Sequence, residues 1–369
     1  MSQEKIRRVV REAVVVTGRV KALSEGDDHV DLVTFGIDSM AALGIINDVE
    51  DRLGVVVDDR AALRLRTIEA IVAYLEALAG RADPAPMLPA QAAVRPVEIS
   101  LATHPFLASH RILGHLLFPF AMALELFVSE WRSRTSGESV QIEDLVVGHP
   151  LVIPPDGART VQLCLRPVGN ATFEADLRQD GSRPFYSCRL SVAPLPGGVE
   201  PPPWREQGRW LGEELYEGLL PHGEHFHCRF GFHHFGPGGV RSLLSEQDRA
   251  RAMLASVPSS GLSTRPCLID GVLQLCGLHA LRYSRSFVLP EKAALLKLHL
   301  PSLAAPEELL VDIKEAGPLN YDVVGAAAGG RPALEIVGLQ FSAASVEASQ
   351  ADAARARLEK LLLEQWLCQ

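Results

Sequence analysis

The 369-residue chain has no apolar run approaching the roughly 18 residues needed to span a bilayer, so no transmembrane helix and no membrane partner are expected. Its first residues, MSQEKIRRVV, lack the layout of a signal peptide and instead begin an amphipathic pattern, which points to a cytoplasmic location. It also lacks an excess of basic charge. With 36 Lys+Arg against 45 Asp+Glu the net charge is -9, and there is no basic patch to neutralise phosphates, which argues against nucleic-acid binding. Finally, the six cysteines (Cys164, Cys188, Cys228, Cys267, Cys276, Cys368) show no CxxC spacing. In a cytosolic chain of this size they are most simply reduced and structural.

What is there is the composition of a globular protein, 47% hydrophobic and 22% charged, at a length that suits two or three domains. Residues 1–80 read as a small helical bundle. Ile6, Val9, Val10, Ala13 and Val14 recur at helical spacing, and after the polar stretch SEGDDH a second pattern runs Met40, Leu43, Ile46, Val49, Leu53 up to Gly54. Thr67 has the place of an N-cap for TIEAIVAYLEALAG, closed by Gly80. Residues 81–95 are Ala- and Pro-rich without periodicity, an interdomain linker. From residue 96 strand-like runs dominate (RILGHLLF, EDLVVGHPLVI, RTVQLCLRPV), with one apolar helix from Pro119 to about Arg134. After the Pro/Gly-rich PLPGGVEPPP the pattern repeats, with one apolar helix behind Pro266 among further strands. Two successive units of about 96–195 and 204–345, each a helix wrapped by an antiparallel sheet, make an α+β reading. An amphipathic helix closes the chain within 346–369 and carries Leu358, Leu361, Leu362, Leu363 and Trp366, a packing or docking element.

Two constellations carry chemistry. In Phe35-Gly36-Ile37-Asp38-Ser39-Met40, Asp38 stands at an N-cap position and Ser39 in the first helical turn. The unpaired N–H groups and positive dipole end there favour a phosphate, although Asp-Ser before an apolar helix is by itself most often only a cap. The string resembles the signature of acyl carrier proteins, and the resemblance covers the first 80 residues, including an acidic turn at Asp58 and Asp59. It implies a four-helix carrier bundle with 4'-phosphopantetheine on Ser39, added by a separate phosphopantetheinyl transferase. Asp48, Glu50 and Asp51 on the second helix, in a region with 14 Asp+Glu against 10 Lys+Arg, read as a solvated face and also as an acidic docking surface for basic partner enzymes.

The second constellation begins at His104. His110-Arg-Ile-Leu-Gly114-His-Leu-Leu-Phe-Pro119 has the form H-x-x-x-G-x-x-x-x-P, and the following FAMALELF is a helix-like run. Far downstream stands Arg265-Pro266-Cys267-Leu268-Ile269-Asp270-Gly271-Val272-Leu273-Gln274. Both segments resemble the dehydratases of polyketide and fatty acid synthases, over roughly residues 97–343. A lone Asp inside an apolar helix is itself unusual, since an unpaired buried carboxylate is costly. The resemblance implies a double hot dog fold, with His110 and Asp270 meeting in one tunnel from different halves. A neutral imidazole suits removal of a weakly acidic α-proton, and a carboxylic acid kept protonated by an apolar pocket can supply a proton to the departing hydroxyl. His110 is therefore assigned as base and Asp270 as acid, with Gln274 one turn on to orient the carboxyl and backbone amides around Gly114 as donors to the thioester oxygen.

Three departures from the family pattern stand out. Ser109 replaces the Asp that often precedes the histidine. The stretch Gly223-Glu224-His225-Phe226-His227-Cys228-Arg229-Phe230 has Cys228 and Arg229 about where Gly-Pro would be, and only VEISLAT precedes the His104 segment. The group His225, His227, Cys228, His233, His234 fits no standard zinc spacing, so no metal is expected. The expected activity is that of a 3-hydroxyacyl-[acyl-carrier-protein] dehydratase, a hydro-lyase of polyketide or fatty-acid biosynthesis, in which the 15-residue linker keeps substrate and site at high effective concentration. Double-bond isomerisation or cyclisation on the same fold, or a catalytically impaired carrier and docking scaffold, are the alternatives. A ketosynthase and a ketoreductase are the implied partners, and dimers common in the family add a homodimer.

Overall fold

A computed structural model describes the chain except residues 1–2, 19, 38, 54, 56, 58–64, 80–92, 170, 194–209, 248–261, 305–307, 328–329, 345, 347 and 368–369. Among the described residues the N-terminal part contains three α-helices, α1 (Gln3–Val16), α2 (Ser39–Leu53) and α3 (Ile68–Ala79), and two 3-10 turns, Glu25–His29 and Leu32–Phe35. The four-helix expectation is met in part: residues 58–64, between α2 and α3, lie outside the described set. The five apolar positions read on α1 are all buried, and they pack with Ile45, Ile46, Val49, Ile71, Val72 and Leu75 in a core of their own. Thr67 caps α3 as its position suggests, its Oγ1 accepting from the backbone N–H of Ala70 at 3.1 Å. Asp38, Gly54, Asp58, Asp59 and Gly80 lie outside the described residues.

The acidic face on α2 needs correction. Glu50 points inward, 3% exposed, and its Oε1 accepts from the backbone N–H of Val57 at 2.6 Å. It holds the chain after α2 rather than offering charge to a partner, because a buried N–H left without an acceptor is costly. Asp48 is engaged by the Thr17 hydroxyl at 3.3 Å and by Arg52 at 3.7 Å.

Among the described residues the rest of the chain builds fifteen strands. The first half contains β1 (Ala93–Ser100), β2 (Arg111–Ile112), β3 (His115–Leu117), β4 (Ser139–Val147), β5 (Val152–Ile153), β6 (Ala158–Gly169), β7 (Thr172–Arg178) and β8 (Tyr186–Val192). The second contains β9 (Trp210–Leu211), β10 (Cys228–Gly236), β11 (Gly239–Glu246), β12 (Val288–His299), β13 (Leu309–Gly317), β14 (Asn320–Ala327) and β15 (Arg331–Ala343). Twelve of them form one antiparallel sheet in the order β1-β6-β7-β8-β4-β12-β15-β14-β13-β11-β10-β9. The halves join at β4 and β12, where Leu296 faces Ile142 and Leu298 faces Val140. β2, β3 and β5 form a small separate sheet.

Each half supplies one long helix, α4 (Phe120–Arg132) and α5 (Pro266–Ser284), with Pro119 and Pro266 at their starts as the sequence suggests, and the second half adds the short helical turns Glu213–Tyr216 and Leu300–Ala304. Both are buried along most of their length and share one core with the sheet. A final helix, α6 (Ala348–Leu367), buries Leu358 and Leu362, while Leu363 stays exposed; the side chain of Trp366 lies outside the described set.

Strand readings differ from the structure at three places, one of them EDLVVGHPLVI, which divides between the end of β4 and β5 in different sheets. RILGHLLF splits into the hairpin β2–β3, because Leu113 (φ 49) and Gly114 (φ 83) both adopt the left-handed conformation a two-residue turn needs. β1 opens at Ala93, inside the stretch read as linker; Pro96 is tolerated there because β1 is the edge of the sheet and a missing N–H leaves no ladder bond unmade. The five described cysteines are unpaired and buried, and no described helix is long and apolar enough to cross a membrane.

Candidate active site

His110 follows the 3-10 turn Pro105–Ser109, whose last carbonyls its own N–H caps at Leu107 O. Its Nδ1 lies 2.9 Å from the carbonyl oxygen of Leu117. A carbonyl only accepts, so Nδ1 carries the proton and Nε2 keeps its lone pair. Burial, reinforced by His222, pushes the imidazole pKa down to about 4, partly offset by Asp270.

The backbone of His110 forms an isolated antiparallel bridge with His222, and the N–H of Gly223 donates to Ser109 O at 2.7 Å. A Cβ on Gly223 would lie 2.8 Å from the Ser109 Oγ and 2.9 Å from its Cα, so only glycine allows this approach. The contact locks a loop of the second half against the histidine of the first.

Asp270 lies in the second turn of α5, 3% exposed, and burial raises its pKa toward the protonated form, against the opposing effects of His110 and a Gln274 hydrogen bond. Gln274 donates from Nε2 to Asp270 Oδ2 at 2.7 Å and to Phe226 O at 3.0 Å. Its own Oε1 accepts from the Tyr216 hydroxyl at 2.8 Å, and that hydroxyl accepts from the backbone N–H of Cys228 at 2.7 Å. His222 Nε2 stands 3.4 Å from Asp270 Oδ2, and the rings of His222 and His110 are 5.2 Å apart. Burial and His227 push the His222 pKa down to about 3.

His110, His222, Asp270 and Gln274 all line one cavity of about 850 Å³, whose walls are otherwise mostly apolar, with Leu113, Leu219, Leu273, Leu278 and Phe287 among them. Gly114 turns the hairpin beside it but is not among the lining residues. Ser39 opens α2, behind the left-handed Gly36 (φ 78) and the buried Ile37; the Ser39 side chain lies outside the described residues. That backbone start fits a phosphodiester, since the first-turn N–H groups have no partner within the helix.

Comparison with known proteins agrees with this layout. Residues 7–75 match the family model for a phosphopantetheine attachment site, and residues 87–178 match that for a polyketide synthase dehydratase domain. The chain joins a phosphopantetheine-attachment domain to a polyketide synthase dehydratase domain. A curated relative of the didomain is the pikromycin polyketide synthase component PikAII of Streptomyces venezuelae, 27% identical over 261 residues. That match covers 63% of this chain and 6% of the much longer relative. Among solved structures, the dehydratase domain from the CurF module of curacin polyketide synthase aligns with TM-score 0.55 at 16% identity, over 70% of this chain and 96% of that one. A monomeric dehydratase domain from a trans AT polyketide synthase split module aligns with TM-score 0.55 at 15% identity, over 69% and 100%. At these identities the likeness establishes the α+β fold of the dehydratase domain.

Two of the family departures touch each other in the dehydratase domain. Ser109 Oγ makes a close hydrogen bond with His225 Nδ1, so the residue replacing Asp is paired with a residue of the altered 223–230 stretch. His227 stacks on Tyr216 at 3.7 Å and lies 3.2 Å from His222 O. The histidines of this stretch are thus spread over different contacts. The grouping of possible metal donors found among the described residues is His110, His222 and Asp270. His222 and Tyr216 were not singled out from sequence: both act across dozens of residues, and the only hint was the density of histidines from 222 to 234.

Proposed function

We propose that the dehydratase domain removes water from a carrier-bound 3-hydroxyacyl thioester to give the 2-enoyl thioester. The observation that carries this is one cavity lined by a neutral imidazole from the first half and a carboxyl held toward its neutral form from the second. His110 Nε2 takes a proton from C2, and charge builds on the thioester oxygen. The C2–C3 double bond then forms as the C3–O bond breaks, while Asp270 gives its proton to the departing hydroxyl, which leaves as water. A proton returning from the His110 imidazolium to the Asp270 carboxylate restores both groups. Gln274, held by Tyr216 and Phe226 O, fixes the carboxyl during the transfer. Backbone N–H groups near Gly114 are the proposed donors to the thioester oxygen.

Phosphopantetheine on Ser39, placed by a transferase, supplies the thiol that carries the acyl chain. We take the carrier as residues 1–80, the linker as 81–95, the dehydratase domain as 96–345 and the closing helix as 346–369. A ketosynthase and a ketoreductase must build and reduce the chain first, and a homodimer is the proposed assembly. Loading a 3-hydroxyacyl group on the carrier and following the mass tests the reaction: one water is lost with the wild type, and His110→Phe and Asp270→Asn each abolish the loss. Full activity in either variant overturns the assigned roles, and rearrangement at constant mass indicates isomerisation or cyclisation. A Ser39→Ala chain that still gains phosphopantetheine overturns the attachment site.

A further inference from the structure

His222 has no part in the chemistry just described, yet it sits against both groups that do. Its Nε2 is 3.4 Å from Asp270 Oδ2, and one donor atom from each of His110, His222 and Asp270 lies within 4.8 Å of the others. We propose that these three side chains form a binding site for a divalent transition-metal ion of the zinc class, open to the cavity at its remaining position.

Four observations support the site. The 3.4 Å between His222 and Asp270 is the edge of a tetrahedron whose metal–ligand bonds are about 2.1 Å long. His110 already has the outer bond that metal-binding histidines make, Nδ1–H to a backbone carbonyl, which aims the lone pair of Nε2 away from the backbone. Gln274 donates to Asp270 Oδ2, the oxygen that also faces His222, and so fixes the carboxylate while leaving that oxygen a second lone pair for an ion. His222 Nδ1 is buried and has no hydrogen-bond partner among the described residues, so nothing at that nitrogen commits Nε2 to carrying the proton, and Nε2 can offer its lone pair. The three donor atoms lie within 4.8 Å of one another, so completing the sphere requires them to close by up to about 1.4 Å to the tetrahedral edge.

Two imidazoles and one carboxylate select zinc, cobalt or nickel over magnesium or calcium, which prefer all-oxygen sets. Binding displaces any proton on Asp270 into solvent and forms bonds from the ion to two nitrogens and one oxygen. If the reading of His110 and Asp270 as base and acid is right, the ion also blocks dehydration, because it occupies the lone pair and displaces the proton the reaction uses. The binding itself does not depend on that reading, and its test needs no turnover.

The test uses the full chain stripped of metal. Titration with zinc in a calorimeter is expected to show one tight site per chain, and cobalt substitution an intense visible absorption from a tetrahedral ion. His222→Ala and Asp270→Asn should each lose both signals, whereas His233→Ala/His234→Ala, on β10, should keep them. Should His222→Ala fail to fold, His222→Phe, which retains an aromatic ring without a ligand atom, serves in its place and is expected to lose the cobalt band. Absence of tight zinc binding to the wild type overturns the proposal. So does binding that survives loss of His222 or that disappears only with His233 and His234.

Discussion

At the scale of single residues, the active-site pair is set by its surroundings more than by its chemistry. An exposed imidazole titrates near the middle of the biological range, whereas His110 is buried beside a second imidazole and is held at about 4. In the proposed mechanism the unprotonated ring is the base, so a lowered pKa extends activity toward acid. We expect kcat/KM to stay level as pH falls through 6 and to decline only on approaching about 4. A break centred near 6.5 in the rate profile would mean the ring is solvated. Tyr216 shows how far the support of Asp270 reaches, since its hydroxyl serves the N–H of Cys228 and the amide of Gln274 at once. Tyr216→Phe leaves that N–H without an acceptor, at a cost of about 1–2 kcal/mol in urea unfolding. It should also lower kcat more than it changes KM, because the acid loses its brace.

Among elements, the contact between α4 and the lead-in to α5 ties the two halves together a few residues before Asp270. Glu125 of α4 accepts from the backbone N–H groups of Ser263 and Thr264 at 2.7 Å each, from the Thr264 hydroxyl at 2.5 Å and from Ser129 Oγ at 2.5 Å. Burial raises the pKa of this carboxyl while its four donors oppose the shift. Glu125→Ala leaves two buried N–H groups unpaired, and we expect a loss of about 2–4 kcal/mol by chemical denaturation. A change within 0.5 kcal/mol of zero, the range typical of surface substitutions, would show that the joint carries no strain when cut. Nothing in the spacing of Glu125 within FAMALELF marks it; in sequence it is one acid among apolar neighbours, and its partners lie 138 and 139 residues away.

For the whole molecule, the two cores set the unit of folding. The apolar residues of α1, α2 and α3 pack among themselves, while those of α4, α5 and the twelve-stranded sheet form a single cluster spanning both halves. Calorimetry on the full chain should therefore resolve two transitions, a small one for the carrier domain and a large one for the dehydratase domain. Separate melting of the two sheet halves would contradict the continuous pairing of β4 with β12.

The sequence alone determined the parts that depend on near neighbours. Helical periodicity placed α1 and its buried face, Thr67 marked the start of α3, and paired prolines and apolar runs marked α4 and α5, because capping and side-chain period are local properties. The motifs around Ser39, His110 and Asp270 carried the family. Tertiary structure decided what distance along the chain conceals: that Glu50 turns inward, that Ser109 meets His225, that Tyr216 braces Gln274, and that His222 stands against both His110 and Asp270. Those contacts arise where a twelve-stranded sheet and two buried helices force polar groups from separate parts of the chain to find partners out of water, a requirement of burial that no local spacing records.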